Sequence, residues 1–268
     1  MIIFFTYYNL GDLMNFAVND LVTRNSYNND IVFQIIKIKD NIAFLKGYEV
    51  RLLSDSPLDD LKMYVKEDRF VEEDIEFDDL DRGNFFYLLP KILHIDSDDA
   101  YLKRCLKFYK KNKVMAVGKN IAEKDISLKI YDLLKEYNPD IVIITGHDAY
   151  YKKKGNINDI DNYRNSKYFV DAVKKARKYE KSHEKLVIIA GACQSDYEEL
   201  IKAGANYASS PKRINIHALD PSIIAITLAL TNRNKEVDIL NMLKKTKYGS
   251  DGFGGLVTNG LMYVGYPR

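Results

Sequence analysis

Two runs of branched apolar residues organise the sequence. Ile141-Val142-Ile143-Ile144 leads into Thr145-Gly146-His147-Asp148, and Leu186-Val187-Ile188-Ile189 leads into Ala190-Gly191-Ala192-Cys193-Gln194-Ser195. Neither run alternates apolar with polar residues. That is the pattern of a strand covered on both faces, and each run breaks at small residues where the backbone can turn. Between them, Ser166 to Ser182 carries apolar residues at helical spacing. Strand, crossover helix and strand predict a parallel pair with a right-handed connection. Both strands then end at the same sheet edge, where parallel α/β sheets hold their ligands. His147 and Cys193 are expected side by side on that edge.

The same rhythm extends in both directions. Leu88-Leu89-Pro90-Lys91-Ile92-Leu93-His94-Ile95 is predicted as the first strand of the series, followed by a helix capped by Asp98 and running to about Lys111. Lys113 to Val117 is the second strand, and Glu123 to Tyr137 is a helix stopped by Pro139. After the Cys193 strand come a short helix from Asp196 to Ala203, a strand at Asn206 to Ser209, and helices at Pro221 to Thr231 and Val237 to Lys245. The tail from Gly252 to Tyr266 reads as a terminal hairpin. Strands alternating with helices predict a three-layer α/β domain with a mainly parallel sheet over residues 89–268.

Residues 1–56 have a different texture. Asp20-Leu21-Val22-Thr23-Arg24, Asp30 to Ile38, Ile42 to Lys46 and Tyr48 to Leu53 are short strand patterns separated by turn signals at Asn28-Asn29 and Asp40-Asn41. They predict a small β-barrel of the SH3 type. Residues 57–88 hold the acidic clusters Glu72-Glu73-Asp74 and Asp78-Asp79-Leu80-Asp81 with few large apolar side chains, and read as a linker or covering segment. Met1 to Tyr8 is apolar but lacks a basic flank and a small-residue cleavage site, so a strand or a poorly ordered end is expected there rather than a signal peptide.

Composition narrows the function classes. An apolar share of 46% with 29% charged residues describes an ordinary globular chain, and a net charge of +2 gives no electrostatic case for nucleic acid or a membrane surface. The apolar runs fall well short of the about 20 residues that span a bilayer. Lys, Asn, Ile and Tyr are plentiful and Trp is absent, the composition of an AT-rich bacterial genome. Two cysteines, Cys105 and Cys193, make no disulfide framework, which fits a reduced compartment.

Cys193 follows Gly191-Ala192 at a strand end and precedes a helix start. Small neighbours would leave its side chain exposed, and a helix N-terminus together with an imidazole would favour the thiolate, the nucleophilic form. His147 has the matching position after Gly146, and a Cys–His pair is a nucleophile with its base. Backbone N–H groups near Gly146 and Cys193 are the candidates for stabilising an oxyanion. Asp148 adjoins His147, but successive side chains rarely converge. No C-x-x-C or H-x-x-x-H spacing supports a metal site, and no phosphate-loop or dinucleotide motif is present, so no cofactor is expected. The acidic group Asp96-Ser97-Asp98-Asp99 falls at the same sheet edge. A carboxylate there is a candidate ligand for a cationic substrate side chain: Asp96 as the nearest to the strand end, Asp98 as the alternative because helix capping occupies it.

A hydrophobic strand ending in His, followed by one ending in Ala-Cys, resembles the caspase-like cysteine peptidases. The sequence is more closely similar to the YabG family of sporulation-specific peptidases, through Asp20-Leu21-Val22-Thr23-Arg24-Asn25-Ser26-Tyr27, Leu45-Lys46-Gly47, Arg51-Leu52, Asp55-Ser56-Pro57, Leu93-His94-Ile95-Asp96, Ile144-Thr145-Gly146-His147-Asp148 and Asn162-Tyr163-Arg164-Asn165-Ser166. It continues through Ala190 to Ser195, Ala203-Gly204-Ala205-Asn206, Ala208-Ser209-Ser210-Pro211 and Ile216 to Pro221, and departs at position 97, where Ser stands in place of the expected Gly. The resemblance implies a caspase-like fold and a cysteine endopeptidase with a Cys193–His147 dyad. It also implies protein substrates of the spore coat and cortex cleaved after basic residues, Arg preferred, and a place in the mother-cell cytoplasm or on the spore coat. The rival reading is a non-catalytic coat-assembly or binding protein that works through its N-terminal barrel. Oligomeric state is left open by the sequence.

Overall fold

The protein is described as a computed structural model covering residues 16–64, 75–77, 80–151 and 155–267. The expectation for Met1 to Tyr8 and much of the acidic stretch, residues 65–74 and 78–79, lie outside the described residues. The chain divides into two compact units: residues 1–48 with 54–66, and residues 49–53 with 67–268.

The first unit is an antiparallel sheet of β1 (Leu21–Arg24), β2 (Phe33–Lys39), β3 (Ile42–Gly47), β4 (Leu53–Pro57) and β5 (Leu61–Met63), in the order β4-β3-β2-β1-β5. Period-2 alternation builds it: Phe33, Ile35, Ala43 and Leu45 are buried while Phe44 between the last two is exposed. Asp40 and Asn41 both adopt positive φ between paired Lys39 and Ile42, the two-residue turn whose twist suits a hairpin. Two sequence expectations meet a different arrangement. The fifth strand comes from Leu61–Met63, in the stretch expected as linker. Tyr48 to Leu53, expected as a strand of this sheet, instead contributes Glu49–Leu53 to the second unit. There it pairs with the segment before the fifth helix: Val50 bridges His217, Ala218 N–H donates to Glu49 O, and Arg51 N–H donates to Ile216 O.

The second unit carries β6 (Phe86–Leu88), β7 (Ile92–Asp96), β8 (Ala116–Asn120), β9 (Ile141–Thr145), β10 (Val187–Ala190), β11 (Tyr207–Ser209), β12 (Phe253–Gly255) and β13 (Tyr263–Gly265). Its helices are α1 (Asp99–Lys111), α2 (Glu123–Tyr137), α3 (Ser166–Tyr179), α4 (Tyr197–Lys202), α5 (Asp220–Leu230), α6 (Ile239–Lys244) and α7 (Gly249–Gly252). Six strands form one sheet in the order β12-β11-β10-β9-β7-β8, parallel except for β12. The expected terminal hairpin does not form. β12 pairs with β11, and β13 pairs with β6.

Alternate residues of the central strands feed two cores. Ile92, Ile141, Ile143 and Ile189 pack with α1, α5 and α6, whereas Leu93, Ile95, Val142, Ile144 and Ile188 pack with α2, α3 and α4. Helices therefore cover both faces of a mainly parallel sheet, and every residue of β7, β9 and β10 is buried. Helix α5 is apolar almost all round and buried along its length, as that composition demands.

A candidate active site at the carboxyl edge of the sheet

Parallel pairing places three loops in a row. Ala190 of β10 lies opposite Ile144 of β9, and Asp96 of β7 lies opposite Thr145. The loop carrying His147 is thus flanked by the Cys193 loop on one side and the Asp96–Asp98 loop on the other. Thr145 Oγ1 donates to Gly191 O at 2.9 Å and ties the first two together. Glycine is required at both turns. Gly191 has φ +105°, and a Cβ there would meet Ser209 Oγ at 2.3 Å; at Gly146 a Cβ would meet Ser97 Oγ at 2.4 Å and Glu123 Oε1 at 2.8 Å.

His147 is fixed on several sides. Its N–H donates to Glu123 Oε1 (2.9 Å), its carbonyl accepts from Asn165 Nδ2 (2.7 Å), and its Nε2 lies 3.0 Å from Asp98 Oδ2. The Tyr101 ring sits 5.8 Å away, centroid to centroid. Nδ1 is buried and has no hydrogen-bond partner among the described residues. Ser97, the departure from the expected Gly, has a specific place: its hydroxyl donates to the same Glu123 oxygen at 2.5 Å.

Cys193 is not exposed, contrary to the sequence expectation. It is completely buried, and its Sγ accepts the Ile216 N–H at 3.3 Å. Ile216 in turn is paired with Arg51, whose backbone also faces the sulfur. Burial pushes the thiol up to about 12, only partly offset by the Ile216 hydrogen bond and the Arg51 charge. The helix expected near Cys193 starts at Tyr197, with Asp196 as its cap. Neither Gly146 nor Cys193 donates its backbone N–H to a partner among the described residues.

The two carboxylates expected to face a substrate cation are both engaged within the protein. Asp96 is fully buried, its Oδ2 pairs with Arg51, and its Oδ1 accepts the Asp98 N–H. Arg51 also donates to Ala218 O at 2.9 Å, and its guanidinium carbon lies 5.1 Å from the centre of the Tyr101 ring. His94 completes this buried group, 3.0 Å from the Tyr109 hydroxyl and 3.8 Å from Asp96; burial, reinforced by Arg51, holds it well below the ordinary imidazole value. Asp98 caps α1 through Oδ1, accepting from Ala100 and Tyr101 N–H, and meets His147 through Oδ2. Tyr101 lies close enough to feel both sides of the site. Burial raises its phenol, Arg51 lowers it in part, and Asp98 and Cys193 add to the rise.

Sequence reasoning missed two residues. Asp148 does not orient the neighbouring imidazole. Its carboxylate accepts from Ser166 Oγ, Ser195 Oγ, Asn165 N–H and Ala149 N–H, linking the His147 loop to the Cys193 loop. Arg51 stood in an expected strand of the small barrel, and the only signal of its role was its place in the resemblance. Among the described residues, no group of three His, Cys, Asp or Glu side chains is arranged to hold a metal ion, and no helix is long and apolar enough to cross a membrane.

A family profile described as YabG peptidase U57 matches residues 17–82 and 73–267. The chain belongs to the YabG peptidase family. The sporulation-specific protease YabG of Bacillus subtilis (strain 168) is 41% identical over 286 aligned positions, spanning 95% of this chain and 99% of that protein. No solved structure matches. As a YabG-family peptidase the chain hydrolyses peptide bonds, and the edge bearing His147 and Cys193 is its candidate active site.

Proposed function

We propose that this YabG-family chain is a cysteine endopeptidase of sporulation, with a caspase-like catalytic domain, acting in the mother cell or on the spore coat upon coat and cortex proteins. The supporting observation is the adjacency of β9 and β10, whose following loops carry His147 and Cys193 at the ligand-bearing edge of a parallel sheet. In the reaction the Cys193 thiol passes its proton to the imidazole as sulfur bonds to the scissile carbonyl carbon. The imidazolium returns the proton to the amine as the C–N bond breaks, and water then hydrolyses the thioester. The unengaged N–H groups of Gly146 and Cys193 are the proposed oxyanion donors, each worth about 3–4 kcal/mol in comparable sites. Because Ile216 and Arg51 cover the sulfur, productive substrate binding has to displace that cover.

Cleavage after basic residues, Arg ahead of Lys, is part of the proposal and rests on family resemblance. Asp96 and Asp98 are committed to Arg51 and His147, so neither is assigned to the substrate cation. The experiment is digestion of a basic protein by wild type and by Cys193→Ala, with products identified by mass spectrometry. Loss of all wild-type cleavages is expected; undiminished cleavage by the variant removes Cys193 from the mechanism.

A further inference from the structure

The row of loops at the sheet edge assigns more than a pair. We propose that Asp98 is a positioning residue for the reaction: its carboxylate holds the His147 imidazole as the Nε2–H tautomer, leaving Nδ1 to take the proton of Cys193. This rests on the cysteine-peptidase reading and adds a third member to it.

Five observations support this role. Strand order places the β9 loop between those of β7 and β10, so the loops bearing Asp98 and Cys193 flank the loop bearing His147 on opposite sides. His147 Nε2 lies 3.0 Å from Asp98 Oδ2, and an ionised carboxylate can only accept, so the tautomer of the neutral ring that makes this hydrogen bond has its proton on Nε2 and its lone pair on Nδ1. Nδ1 is the ring nitrogen that is buried with no hydrogen-bond partner among the described residues. The carboxylate is itself held, since Oδ1 accepts from Ala100 N–H at 3.0 Å and Tyr101 N–H at 3.2 Å at the start of α1. Glu123 and Asn165 secure the His147 backbone, so the ring has little freedom to swing away. During thiol deprotonation Nδ1 gains a proton while Nε2–H stays hydrogen-bonded to Asp98, whose negative charge then faces a positive ring. No proton passes to Asp98.

Two variants separate this role from helix capping and from substrate binding. Asn and Ser both cap helices well, so Asp98→Asn and Asp98→Ser retain the start of α1. Both are expected to melt close to wild type. Both are expected to lower kcat by roughly 10²–10⁴-fold, the range for loss of imidazole orientation, while KM for a basic peptide moves less than about threefold. A substrate ligand would instead raise KM, and only for basic peptides. ¹⁵N NMR of His147 in the Cys193→Ala background, with and without Asp98→Asn, reads the tautomer directly. The Nε2–H form is expected with Asp98 present and its loss with Asn, because an amide N–H can donate to Nε2. An unchanged tautomer, a wild-type kcat, or an effect confined to KM overturns the assignment. Inactive Cys193→Ala beside fully active Asp98→Asn would defeat only the role of Asp98; active Cys193→Ala would defeat the underlying peptidase reading.

Discussion

Arg51 is the residue whose removal has the most legible physical consequence. Its guanidinium and the Asp96 carboxylate each have 0% side-chain exposure, and they pair directly. Burial alone would pull the Arg51 pKa down, but Asp96, Cys105 and Tyr101 more than reverse this and hold the cation firmly charged. Arg51→Met keeps comparable packing but strands the Asp96 carboxylate, which retains the Asp98 N–H on its other oxygen and no cationic partner but His94, an imidazole held well below its ordinary value, among the described residues. Breaking a buried pair from one side costs about 3–5 kcal/mol. At about 2–4 °C per kcal/mol for a chain of this size, the melting temperature falls by roughly 6–20 °C. Asp96→Leu costs a similar amount because it strands the guanidinium. The double variant removes both charges and is expected within about 2 kcal/mol of wild type, since apolar replacements of whole buried pairs are often neutral. The assay is urea unfolding by far-ultraviolet circular dichroism, because the chain has no Trp to report by fluorescence. The slope against urea should stay constant across the four proteins. Single variants that each cost under about 1 kcal/mol, or a double variant as unstable as the sum of the two, would refute the buried pair.

Two further outcomes follow from the covered site. The Cys193 thiol, pushed from 9.0 to about 12, holds roughly a thousandfold less thiolate at neutral pH than an ordinary thiol, so iodoacetamide should label it at least about 10³-fold more slowly in the folded enzyme than in urea; rates within tenfold of each other would show that the cover is absent. Asp148 is pushed from 3.8 to about 6 by burial, against the pull of its Ser166, Asn165, Ser195 and Ala149 donors. Between those values the folded state keeps a proton that the unfolded chain releases, so this group's contribution to stability falls by about 3 kcal/mol as pH rises from 4 to 6. The stability advantage of wild type over Asp148→Asn should therefore narrow by that amount between pH 4 and 7, and an advantage that widens would reverse the assigned direction.

The sequence by itself determined the α/β class of the second unit and two points of its candidate site. Unbroken branched runs at 141–144 and 186–189 can only be satisfied by burial on both faces, and the glycines after them mark where each strand must turn. Helix α1 was legible to its cap, because Asp98 and the apolar spacing after it are local signals. What only the tertiary structure decided was partnership. Periodicity carries no strand order, so nothing local placed β7 beside β9 and sent Asp98 to His147. Shifting Arg51 from an expected strand to a buried partner of Asp96 required knowing which polar groups meet in the interior. The same ignorance made Cys193 look exposed, since the residues that cover it, Ile216 and Arg51, are distant in sequence. Local pattern fixes which side chains must leave water; the energy of a buried charge or thiol depends on the partners that long-range packing brings to it.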